Sequence, residues 1–186
     1  MRIALLHGFN VDDGGLSTVG QMKAQLEAAG HIISIITYGD YNIFEVRFRK
    51  HKAISYIARQ LVDLQIDAII SHSNGANFEH KALTLLEHRD KKYQVVRIAP
   101  ALNRTTACAS NVTKCTVFYS KSDGWVRLSK YLIKHPWGQQ GQKGYKGDDL
   151  RMQSWDYTDL AANHSDYFLK ENVTLITTDA LIALGE

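Results

Sequence analysis

The chain is poor in cysteine: of 186 residues only Cys108 and Cys115 carry thiols, and six residues separate them. That number and spacing fit neither a disulfide framework nor a zinc site, so both read as free thiols, with Cys115 packed inside a strand. Long apolar runs are missing as well. No stretch approaches the length needed to span a bilayer, and the segment from Met1 to Gly8 lacks the apolar run and small-residue cleavage site of a secretory leader. The expectation is a cytoplasmic chain, in which the Asn-x-Ser/Thr triplets at Asn103, Asn111, Asn163 and Asn172 carry no weight. Neither charge is in marked excess: 22 Lys and Arg face 19 Asp and Glu, and the resulting +3 is too small to argue for nucleic acid or an acidic membrane as partner, so no nucleic acid is expected. The one dense basic stretch, Arg47, Arg49, Lys50, His51 and Lys52, reads as the solvated approach to a helix. No internal repeat is visible.

What is present is ordinary globular material, 45% hydrophobic and 22% charged, in a length that suits a single domain spanning 1–186 with one site. Apolar runs bounded by turn residues alternate with helical periodicity. Ile3 to Leu6 reads as a strand. A helix follows, with Val19, Met22, Leu26 and Ala29 on one stripe and Gly30 as its stop, and then a strand from Ile32 to Thr37. A second helix sets Ile54, Ile57, Ala58 and Leu61 on one face before the strand Ala68 to Ser71, and a third sets Phe78, Ala82, Leu85 and Leu86 before the strand Val95 to Ala99. Further strands are expected at Thr116 to Ser120 and Arg151 to Trp155. Short buried strands separated by single helices imply an α/β class: a doubly wound, mainly parallel sheet of about six strands with helices on both faces. In such sheets ligands sit beyond the carboxyl ends of the strands. The segment 134–149, with Gly138, Gly141, Gly144 and Gly147, reads as a long glycine-rich loop, either functional or mobile.

The residues with chemistry stand at those strand ends. Ser71-His72-Ser73-Asn74-Gly75 follows one strand directly and opens a helix directly, the arrangement of a nucleophile elbow. A sharp strand-to-helix turn at Ser73 needs small neighbours two positions away on either side, and Ser71 and Gly75 supply them. The amide of Asn74 then lies at a helix N-terminus, which favours developing negative charge.

With these residues in place the sequence resembles the α/β-hydrolase superfamily, in particular small lidless esterase-like hydrolases of bacteria and phages. The usual elbow of that family is Gly-x-Ser-x-Gly, and Ser71 here replaces the first glycine. The resemblance covers nearly the whole chain from the family's third strand onward. It extends to His7-Gly8-Phe9-Asn10, which matches the His-Gly-x oxyanion loop and implies that the backbone N–H of Phe9 joins that of Asn74 in an oxyanion hole. Asp123, directly after the strand ending at Ser120, stands where the family places its acid. His164, in the loop before the C-terminal helical segment, stands where the family places its base. Ser, Asp, His is the family's order along the chain.

The resemblance implies a carboxylesterase-like serine hydrolase in which His164 takes the proton of Ser73, Asp123 orients the imidazole, and an acyl-enzyme forms and is hydrolysed, with no metal or cofactor. The expected partner is a small-molecule acyl substrate. Asp148, Asp149, Asp156, Asp159 and Asp166 are the rivals of Asp123. Of the other histidines, His31, His51, His80, His88 and His135 are expected at the surface, and His7 and His72 beside the pocket. Asn10, Asp12 and Asp13 follow the oxyanion loop and are candidates for substrate contact, though Asp-Asp-Gly-Gly also suits an ordinary polar loop before a helix, the favoured reading. Trp137 and Tyr145 either line the entrance or anchor the glycine-rich loop. Only Ala101 to Lys114 separates two successive strands where many relatives insert a lid, so no cap domain is expected and short or exposed acyl groups are favoured. An acyltransferase or thioesterase using the same residues, or a non-catalytic binding protein on the same fold, stays open as an alternative.

Overall fold

The computed structural model describes residues 1–8, 12–39, 50–124 and 138–186. Phe9, Asn10, Arg47, Arg49, His135 and Trp137 lie outside the described residues. Six strands form one sheet: β1 (Arg2–Leu6), β2 (Ile32–Ile35), β3 (Ala68–His72), β4 (Tyr93–Ile98), β5 (Val112–Tyr119) and β6 (Met152–Asp156). Their spatial order is β2-β1-β3-β4-β5-β6, and every neighbouring pair is parallel. The chain therefore leaves β1 outward to β2 and returns on the other side of β1 to β3, which makes the junction of β1 and β3 the topological switch point.

The inner strands β1, β3, β4 and β5 are largely apolar on both faces because both faces are covered. Ala4, Leu6, Ile69, Val95, Cys115 and Val117 pack under α2 (Lys50–Asp63) and α3 (Asn74–Leu85), through Ile54, Ile57, Ala58, Leu61, Phe78, Ala82 and Leu83. Ile3, Leu5, Ile70, Val96, Ile98 and Phe118 point the other way, onto α1 (Lys23–Ala28), the 3-10 turn Val19–Met22 before it, and α5 (Val173–Ala183). No described helix is long and apolar enough to cross a membrane.

The elements expected from periodicity are present, with four differences. The first helix is broken into a 3-10 turn and the short α1, so Ala29 stands at its exposed end, beside Gly30 at φ +88°. On α3 the buried stripe includes Leu83, whereas Leu85 is 51% exposed. The stripe is displaced because its centre is Glu79, a residue that a count of apolar positions passes over. His31 is buried rather than at the surface, its Nδ1 lying 3.2 Å from the Met1 amino nitrogen. Finally, the glycine-rich segment is not a plain loop in its described part. It contains the one-turn helix α4 (Gln140–Lys143), with Gln140, Gly141 and Gln142 buried. Gly138 and Gly141 serve close approach here: a Cβ on Gly141 would lie 2.5 Å from the carbonyl carbon of Ala99, and one on Gly138 would lie 2.3 Å from Cα of Asn103. Hydrogen bonds from the Gly141 amide to Pro100 O (2.9 Å) and from the Ser120 amide to Gly141 O (3.0 Å) fasten α4 to the ends of β4 and β5.

Beneath the carboxyl ends of β3 and β4 lies a fully buried ion pair. The Arg97 guanidinium donates to Glu79 through Nε (2.9 Å) and Nη2 (3.2 Å), and Ser71 Oγ donates to the same carboxylate at 3.4 Å. A pair of this kind adds little net stability over apolar packing, but removing one partner strands the other charge, at about 3–5 kcal/mol. Ser71, two residues before Ser73, thus has a buried partner of its own.

Candidate active site

β3 ends at His72 and α3 begins at Asn74, so Ser73 alone makes the turn between them. It does so at φ 54°, ψ −124°, a backbone conformation that costs a non-glycine residue about 1–3 kcal/mol. Three backbone hydrogen bonds hold it there: the Ser73 amide donates to Ile98 O at 3.0 Å, and Ser73 O accepts from Ala76 at 3.2 Å and Ala101 at 3.0 Å. The glycine after the turn is required by space. A Cβ on Gly75 would lie 2.3 Å from His7 O, so α3 rests directly on the end of β1.

The end of β1 adjoins the same point. A Cβ on Gly8 would lie 3.0 Å from Ser73 Cβ and 3.5 Å from Ser73 Oγ, so Gly8 leaves the hydroxyl uncovered. His7 is buried, stacked on Tyr38 with ring centroids 4.3 Å apart, and its Nδ1 lies 2.9 Å from Gly8 O. The Tyr38 hydroxyl donates to His7 O. Asp13 caps its own turn by accepting from the amides of Gly15 (2.8 Å) and Ser17 (2.7 Å), the structural role of a polar loop.

Two turns from the far side of the sheet complete the group. Asp123 follows β5 and is fully buried, and His164 lies in the turn between β6 and α5. His164 Nδ1 stands 2.6 Å from Asp123 Oδ2, and His164 Nε2 stands 2.7 Å from Ser73 Oγ. Ser120, which sequence reasoning missed, links the two turns: its Oγ donates to Ala161 O at 2.5 Å and accepts from the Ser122 amide at 3.2 Å. A buried serine closing a strand just before an acidic turn is the only signal that would have found it.

The other acidic residues are engaged elsewhere. Asp149 pairs with Arg151, Asp156 with Lys121, and Asp166 accepts from the Asn163 amide, while Asp148 and Asp159 are exposed. Tyr145 packs its ring against the core on the α2 and α3 side of the sheet, and its hydroxyl accepts from the Asp149 amide at 3.2 Å. His72 is 3% exposed, and burial, with the His164 ring and His7 beside it, holds it well below the usual histidine range. Among the described residues no three His, Cys, Asp or Glu side chains gather in a way that would hold a metal ion.

No family model and no curated protein matches the sequence. Solved structures do. A hydrolase from Oleispira antarctica superimposes with a TM-score of 0.65 at 12% identity, over 97% of this chain and 89% of its own. Mouse alpha/beta hydrolase domain-containing protein 10 does so with 0.64 at 13%, over 100% of this chain and 90% of its own. An extracellular alpha/beta-hydrolase from a Paenibacillus species, described as sharing structural and functional homology with tobacco salicylic acid binding protein 2, gives 0.62 at 11%, over 98% of each chain. This chain has the α/β-hydrolase fold. In these terms the Ser73 turn, the His7-Gly8 segment, Asp123 and His164 occupy the carboxyl edge of an α/β-hydrolase sheet, around its switch point. The fold hosts many activities, so the chemistry rests on the site itself.

Proposed function

We propose that the chain is a serine hydrolase that cleaves an acyl ester-type bond through an acyl-enzyme. The observation that carries this reading is the hydrogen-bonded series Ser73 Oγ, His164, Asp123, at 2.7 and 2.6 Å, set on a strained turn at a helix N-terminus. His164 Nε2 takes the Ser73 proton as Oγ attacks the acyl carbonyl carbon, and Asp123, accepting from Nδ1–H, fixes the tautomer and stabilises the imidazolium. The tetrahedral intermediate collapses as the imidazolium protonates the departing alkoxide. Water, deprotonated by the same histidine, then attacks the acyl-enzyme and releases the acid and Ser73. The amide of Asn74, in the first turn of α3, is one oxyanion donor, and that of Phe9 is the other by resemblance. Each such donor is worth about 100- to 1,000-fold in rate.

Short acyl groups are the expected substrates. The connection from β4 to β5, residues 99–111, consists of turns and carries no helix that would enclose a long chain.

A fluorophosphonate probe tests the reading. Wild type is expected to be labelled, Ser73→Ala not at all, and Asp123→Asn about 10⁴-fold more slowly. Folded wild type that resists the probe would remove the hydrolase reading and favour a binding protein. On p-nitrophenyl esters, acetate and butyrate should exceed palmitate in kcat/KM, and the reverse order would overturn the preference for short chains.

A further inference from the structure

Ser73 is preceded by a histidine that the mechanism above does not use. His72 ends β3 with its side chain on the α1 and α5 face, alongside Ile70. Its ring lies between two residues of the segment that carries the base. The centroid of His164 is 4.9 Å away, tilted by 36°, and that of Phe168 is 4.9 Å away, edge-on at 84°. His72 Nε2 is 3.3 Å from the backbone carbonyl oxygen of His164. A carbonyl only accepts, so this nitrogen carries the proton and Nδ1 holds a lone pair. That Nδ1 is buried without a hydrogen-bond partner among the described residues, on the side of Gly8, whose added Cβ would lie 3.2 Å from it.

The orphan nitrogen tells against a purely space-filling role. A phenylalanine or leucine would fill the same volume without leaving a buried acceptor unsatisfied, a defect worth about 1–3 kcal/mol. What histidine supplies and those residues lack is the Nε2–H aimed at the backbone of His164. The turn is anchored before His164 by the Ser120 hydroxyl on Ala161 O and by the Asp166 carboxylate on the Asn163 amide, and the His72 Nε2–H adds a tie at His164 itself, the one of these three that runs to β3. Asp123 orients the imidazole from one side, and nothing in that contact fixes the height of the His164 backbone above β3.

We propose that His72 is a positioning residue for the general base: by donating from Nε2 to the carbonyl of His164 it ties the base-bearing turn to the strand that carries the nucleophile. This rests on His164 acting as the base. Proton transfer from Ser73 Oγ is sensitive to displacements of about 1 Å, which cost on the order of 10²-fold. The tie therefore acts on the chemical step and leaves substrate binding alone.

The test compares wild type, His72→Phe and His72→Gln by circular dichroism, by the rate of fluorophosphonate labelling, and by kcat and KM on p-nitrophenyl acetate. His72→Phe keeps the packing against Phe168 and loses the donor. It is expected to fold, to keep KM, and to lower both kcat and the labelling rate by about 10- to 100-fold. His72→Gln, whose side-chain N–H reaches the same carbonyl, is expected to recover most of that loss. Folded His72→Phe with wild-type kcat overturns the inference, as does His72→Gln that folds and performs no better than His72→Phe. A reading independent of variants comes from ¹⁵N-histidine NMR of the wild type at neutral pH. The neutral Nε2–H tautomer is expected for His72, and the Nδ1–H tautomer overturns the inference. Wild type that refuses the probe defeats the hydrolase reading itself, whereas labelled wild type with an unimpaired His72→Phe defeats this inference alone.

Discussion

Ser73 is held in a conformation it would not choose, and the residues around it are sized to keep it there. Its φ of 54° is sustained by backbone hydrogen bonds to β4 and the segment just after it and by the seating of α3 on the end of β1. Gly75 is the contact point of that seating. Gly75→Ala would press a methyl group against His7 O at 2.3 Å, where the neighbour is backbone and has no freedom to turn aside. We expect it to destabilise the fold by about 1–3 kcal/mol in urea unfolding and to slow probe labelling, because α3 and the Ser73 turn must shift together. Gly124→Ala, where an added Cβ meets nothing within 4 Å among the described residues, is the control and should leave stability unchanged within about 0.5 kcal/mol. Equal stability of the two variants would show that the close approach of α3 to β1 is not what holds the turn.

The connection from α4 to β6 is fastened in part by an ion pair and the carbonyls around it. Arg151 donates to Asp149 through Nε (2.9 Å) and Nη2 (2.7 Å) and reaches the carbonyls of Ala109 (3.1 Å) and Val112 (2.8 Å) with Nη1. The Asp149 carboxyl is held far below the usual carboxylate range, first by its hydrogen bond from Arg151, against a smaller opposing effect of burial. A depressed folded pKa stabilises the fold above the unfolded value, near 3.9, and that contribution is lost as pH falls below it. Asp149→Asn is therefore expected to cost about 1 kcal/mol at pH 6, a modest figure because Arg151 is partly exposed. The difference from wild type should shrink steadily below about pH 4. Thermal melts of both proteins between pH 6 and pH 3 check this, and a gap that widened with acid would contradict it.

Both thiols sit inside the core on the α2 and α3 side of the sheet and report on the integrity of the fold. Burial pushes the Cys115 thiol up to about 12 and the Cys108 thiol up to about 11, the latter with help from its hydrogen bond to Asp149. Almost no thiolate is present at neutral pH, and almost no surface is open to attack. A disulfide-exchange reagent should thus leave both cysteines unmodified in the native protein and react with both across the unfolding transition. Reaction of Cys108 ahead of Cys115 would mean that the 99–111 connection opens without the sheet.

The α/β class, the six strands and the strand-to-helix turn at Ser73 were legible in the amino-acid order alone. These depend on local signals: β-branched runs, helical spacing, and small residues at defined offsets around one serine. The sequence also placed Asp123 and His164 after strands, on the same edge of the sheet as Ser73. It misjudged where burial came from something other than apolarity. Glu79 lies at the centre of a buried stripe because Arg97 faces it from β4, His31 is buried beside the chain's own first residue, and the glycines of 138–141 mark contact with strand ends rather than slack. The distances from Ser73 to His164 and from His164 to Asp123, the clasp by Ser120, and the place of His72 under His164 came only with the folded chain. Each joins residues far apart in the chain, and their separation in space is set by sheet order and helix packing, which no local pattern encodes.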